Sequence, residues 1–90
     1  MTLRELQITK AILNFLHTLD YAQASEVQIH AAVNVDPAIN FPKPSVAELG
    51  AALKNCDAEK WILGVPARFT RTMRWNITEE GEAARLEMDK

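Results

Sequence analysis

Trp75-Asn76-Ile77-Thr78-Glu79-Glu80-Gly81 is the stretch on which the fold turns. Met73, Trp75 and Ile77 alternate with Arg74 and Asn76, the two-residue period of a strand with one apolar face. At Thr78 the pattern changes. A threonine followed by two acids is a helix start: the hydroxyl can accept an orphan backbone amide, and the carboxylates sit at the positive end of the helix dipole. The chain therefore leaves a strand and enters a helix within one residue.

Working back from this junction, Trp61, Leu63, Val65, Ala67 and Phe69 recur at every second position and read as the inward face of a partner strand. Pro66 lacks an amide hydrogen, which puts part of that run at an edge or a bulge. Thr70, Arg71 and Thr72 are the expected hairpin tip. The tip has no Asn-Gly or Asp-Gly pair, so the register stays open.

Three helices precede the hairpin. Thr2-Leu3-Arg4-Glu5, Ser25-Glu26-Val27-Gln28 and Ser45-Val46-Ala47-Glu48 each have the spacing of a capping box, in which a hydroxyl and a side chain three residues on satisfy each other's backbone amides. In the first helix Ile8, Ile12, Phe15, Leu16 and Leu19 follow helical spacing, and Leu6 and Leu13 widen the stripe well beyond one core-facing face. Either this helix is buried on two sides within its own fold, or it adds a contact to a second copy. The second helix fades by Asn34. Asn34 to Pro44, with Pro37, Pro42 and Pro44, reads as an eleven-residue loop held to the core by Ile39 and Phe41. In the third helix Val46, Leu49, Leu53 and Cys56 share the apolar face. Ala47, Glu48, Ala51, Lys54 and Asn55 lie on the other.

The order of elements, and the 75–81 stretch in particular, resembles the winged helix-turn-helix of bacterial MarR-like and PadR-like regulators. There an apolar residue leads into a Leu-Thr-Glu-Glu-Gly pattern; here Ile77 replaces the leucine. Ser45 to Cys56 is similar to the recognition helix, and Trp61-Ile62 to the apolar start of the wing. The resemblance implies a mainly helical α+β fold: three helices, a two-stranded β-hairpin wing and a short C-terminal helix, in one domain over residues 1–90. It also implies a transcriptional regulator that binds double-stranded DNA as a homodimer. The third helix would enter the major groove, bringing Ser45, Ala47, Glu48, Ala51, Lys54 and Asn55 to it, with Lys43 on the flank. Asparagine can pair with adenine, and lysine with guanine or phosphate. Arg68, Arg71 and Arg74 would grip phosphates from the wing, or form only a solvated rim. Leu6 and Leu13 of the first helix, with Leu86 and Met88 of the last, would form the dimer contact.

Two features depart from the family pattern. The 34–44 loop is long for a helix-turn-helix, and the outward face of the third helix carries two alanines and an acid. These favour the alternative, a winged-helix protein-interaction module without DNA binding, which an exposed patch of Ile39 and Phe41 would serve.

Bulk properties bound these readings. Ninety residues, 48% of them hydrophobic, suit one modest core. The net charge of −2 conceals an asymmetry: Lys43 to Trp75 holds six basic and three acidic residues, the remainder four basic and nine acidic. A polyanion responds to the local field rather than the mean. One cysteine rules out an intrachain disulfide and fits a cytoplasmic protein. Neither a signal peptide nor a membrane span is expected. His17 and His30 lack the converging ligands of a metal site, the three glycines form no phosphate loop, and no nucleophile–base pair is apparent. No cofactor, and no enzymatic activity, is expected.

Overall fold

The computed structural model describes residues 2–20, 22–36, 40–70 and 72–88. The elements run α1 (Leu3–Thr18), β1 (Ala24–Ser25), α2 (Glu26–Val35), α3 (Val46–Ala58), β2 (Ile62–Pro66), β3 (Met73–Ile77) and α4 (Glu79–Met88).

Each helix starts where a hydroxyl can accept an orphan amide. Ser25 and Ser45 form full capping boxes with Gln28 and Glu48. Thr2 accepts from the Glu5 amide at 3.1 Å, but the Glu5 carboxylate takes the Thr2 hydroxyl instead of its backbone amide. Helix α3 ends in a Schellman turn. The Trp61 amide donates to the Cys56 carbonyl at 2.9 Å and the Lys60 amide to Asp57 at 3.0 Å. Lys60 consequently takes the left-handed conformation, with φ of 63°.

α1 is the central element, in contact with α2, α3, α4 and β3. Ile8, Ile12, Leu13 and Leu16 of α1 pack into one cluster with Ile29 and Val33 of α2, Leu49, Leu53 and Cys56 of α3, and Ile62 and Ile77 of the sheet. Apart from the half-buried Leu6, its wide apolar stripe is thus used inside the fold. Leu13 is 0% exposed, so its expected place in a dimer contact is corrected: it fills the domain's own core. Met88, expected in the same contact, is partly buried against that core.

The sheet is antiparallel in the order β1-β3-β2. It has three strands where a two-stranded hairpin was expected, because Ala24 and Ser25 pair with Trp75 and Arg74. The phase of β2 also differs from expectation. Ile62 is buried, while Leu63 and Val65 face outward at 53% and 38% exposure. Register explains the reversal: Ile62 lies opposite Ile77 and Gly64 opposite Trp75, so the even positions of β2 share the core-facing side with the indole. A Cβ at Gly64 would come within 2.5 Å of Trp75 Cζ3 and 2.7 Å of Met73 Cε. The missing side chain is what lets the tryptophan lie flat across β2.

The segment between α2 and α3 is held from both sides. His30 Nε2 lies 3.1 Å from the Pro44 carbonyl, which can only accept a hydrogen bond from it. Phe41 packs partly against the core, as expected; Ile39 lies outside the described residues.

Candidate nucleic-acid interface

The 75–81 stretch builds the base of the wing. The Thr78 amide donates to the Trp61 carbonyl at 3.0 Å, and the Thr78 hydroxyl donates to the Lys60 carbonyl at 2.7 Å while accepting from the Gly81 amide at 3.0 Å. A Cβ on Gly81 would overlap the Trp61 carbonyl oxygen. Threonine is therefore used as a two-way hydrogen-bonding group and glycine as empty space, and together they lock α4 onto the end of α3.

On α3, Leu49, Ala52, Leu53 and Cys56 are buried, and Ala47, Ala51 and Lys54 are exposed on the side away from them. Asn55 is exposed too, but on a flank. With Glu48 and Ala51 it borders a groove against Glu5 and Ile8 of α1. Lys43 is exposed ahead of the helix.

Two residues expected on the interface are occupied within the fold. Glu48 makes a bidentate pair with Arg4, at 2.6 Å from Nε to Oε2 and 2.9 Å from Nη2 to Oε1, and also accepts the Ser45 amide at 3.1 Å. Arg4 adds a bond to the Pro42 carbonyl at 3.0 Å. The guanidinium's hydrogen bonds, followed by that of the Ser45 backbone, hold the Glu48 carboxyl down at about 2. The pair ties the start of α3 to the start of α1. The Ser45 hydroxyl is likewise taken by the Glu48 amide, at 3.1 Å. The sequence reading missed Arg4, because nothing local marks a partner 44 residues away.

The wing carries Arg74 on β3 and Arg68 just beyond β2, both exposed; Arg71 lies outside the described residues. Phe69, expected among the inward positions of the strand, is 89% exposed instead, since β2 ends at Pro66. Leu86 is 57% exposed on α4, and Leu6 is half-buried on α1. Cys56 is fully buried, and burial pushes its thiol up to about 12, which keeps it protonated and inert. Among the described residues no three His, Cys, Asp or Glu side chains converge as metal ligands, and no helix is long and apolar enough to cross a membrane.

A capped helix pair, α2 and α3, packed under α1 and followed by a β-hairpin that feeds α4, is a winged helix-turn-helix. The fold is similar to that of MarR from E. coli. The wild-type apo structure and a cysteine-to-serine mutant match with TM-scores of 0.67 and 0.68. Each is 16% identical in sequence, with 98% of this chain covered and 55% and 54% of theirs. The chain thus spans about half the length of these structures. No protein-family model and no curated protein matches the sequence.

Proposed function

We propose that this chain binds double-stranded DNA as a transcriptional regulator in the cytoplasm, as a homodimer and without enzymatic activity. The observation that carries the reading is the uncovered face of α3, bearing Ala47, Ala51 and Lys54, on a helix whose start is fixed by the Arg4–Glu48 pair. In this fold such a face is the one that meets the major groove. The alanines permit close approach, Lys54 supplies charge, and Asn55 reaches from the flank. Arg68, Arg74 and, on sequence grounds, Arg71 contact phosphates from the wing, with Lys43 supporting from the other side. Leu6 and Leu86 supply apolar surface for pairing two copies.

The test is fluorescence anisotropy of a labelled random duplex at low and moderate salt, with an Arg68/Arg71/Arg74→Ala variant alongside. Salt-sensitive binding that the variant loses is the expected result, because neutralised phosphates release counterions. Absence of binding at low salt would overturn the reading. It would favour a protein-interaction module instead, which the outward row of Leu63 and Val65 on the edge strand β2 would suit.

A further inference from the structure

Phe69 is the most exposed of the large apolar side chains among the described residues. It stands at the end of the wing. The strand pairing stops at Pro66 and Met73, and the loop beyond is closed by the Ala67 amide donating to the Thr72 carbonyl at 2.9 Å. The guanidinium carbon of Arg68 lies 5.3 Å from the phenyl centroid. Thr70 and Thr72 of the same loop are both exposed.

A phenyl group left in water forgoes the stabilisation of burial, and here the recorded neighbour of the ring is a guanidinium. Val65 and Met73, at 38% exposure each, lie lower on the strands. A hydrophobic groove on a protein would need a broader apolar surface than one ring. An isolated flat ring beside a guanidinium instead matches a partner that is flat and apolar at its centre and anionic at its edge. A base step between phosphates has that chemistry. Apolar side chains enter such steps as wedges, and aromatic rings stack on bases irrespective of sequence.

We propose that Phe69 is a wedge: the wing tip inserts its ring at a weakly stacked step of duplex DNA while Arg68 takes an adjacent phosphate. The proposal rests on the DNA-binding reading above and adds a partner class, duplexes with a deformable step such as pyrimidine–purine or a mismatch.

The experiment uses two labelled duplexes that differ only at a central step, one well stacked and one carrying a mismatch, with 2-aminopurine beside the step. Wild type, Phe69→Ala and Phe69→Trp are compared at low salt after melting curves establish that all three are folded. Wild type is expected to bind the mismatched duplex roughly five- to tenfold tighter, in line with one base–aromatic stack, and to brighten 2-aminopurine on binding. Phe69→Ala should lose both the preference and the brightening while keeping salt-sensitive binding to the well-stacked duplex, and Phe69→Trp should restore both. If Phe69→Ala matches wild type on both duplexes, or weakens both equally, the wedge is overturned and DNA binding stands. If wild type binds neither duplex, the DNA-binding reading falls and the wedge with it.

Discussion

Thr78 and Gly81 show how much a few atoms settle. The hydroxyl serves Lys60 and Gly81 at once, and the glycine leaves room for the Trp61 carbonyl. Gly81→Ala has to displace backbone rather than a flexible tip, and should cost about 1–3 kcal/mol as an overpacked site. Thr78→Ala should cost about 1 kcal/mol as a lost cap. Denaturant melts of both variants check this, with Gly81→Ala expected to be the worse. The role of Thr78 was legible because a cap and its helix are neighbours in sequence, whereas that of Gly81 depends on the distant Trp61 carbonyl. The role of Glu48 was not legible either, because its meaning depends on Arg4. Holding the Glu48 carboxyl at about 2 in the folded state, below the ordinary 4.5, adds stability that is present above pH 4.5 and lost as pH falls through 2. Glu48→Gln should therefore flatten the dependence of stability on pH between about 5 and 2. A melt series at several pH values reads this directly, and a slope unchanged from wild type would remove the Arg4 pair from the account. The pair is partly exposed, so high salt should shrink the difference.

Among the elements, the helices were legible and the sheet only partly so. A helix announces itself by a cap and a run of side chains at three- and four-residue steps, which all lie within one segment. Strand phase is decided by the neighbour. Leu63 and Val65 are good apolar candidates for the inside, but Ile77 and Trp75 on β3 select Ile62 and Gly64. β1 has two residues, too few to display a period at all. The candidate interface follows the same division. The outward face of α3 was read correctly at Ala47, Ala51 and Lys54, whereas the exposure of Phe69 depends on β2 stopping at Pro66. Gly64→Ala tests the reversed phase. Its Cβ would press on Trp75 and Met73, and we expect a loss of about 1–2 kcal/mol with a change in tryptophan emission. If Leu63 and Val65 were the inner residues, the same substitution would be almost silent.

At the scale of the molecule, the residues expected in a dimer contact divide between the core and the surface. Leu13 belongs to the fold and Leu86 to the surface. Leu13→Ala should lower stability by about 2–5 kcal/mol through an internal cavity. Leu86→Arg should leave the melting curve of the monomer intact and reduce self-association in sedimentation equilibrium. A homodimer unaffected by Leu86→Arg would place pairing elsewhere. The two-residue strand β1 has its own consequence at this scale. Ser25 caps α2 and also lies in register with Arg74, so the hairpin and the helix-turn-helix meet at β1 as a joint. A joint of that kind cannot pivot without unpairing β1. The molecule then acts as a caliper of set opening, and on the DNA-binding proposal the span between the groove that α3 would meet and the phosphates that the wing would meet is a constant of the protein rather than an adjustment made on contact.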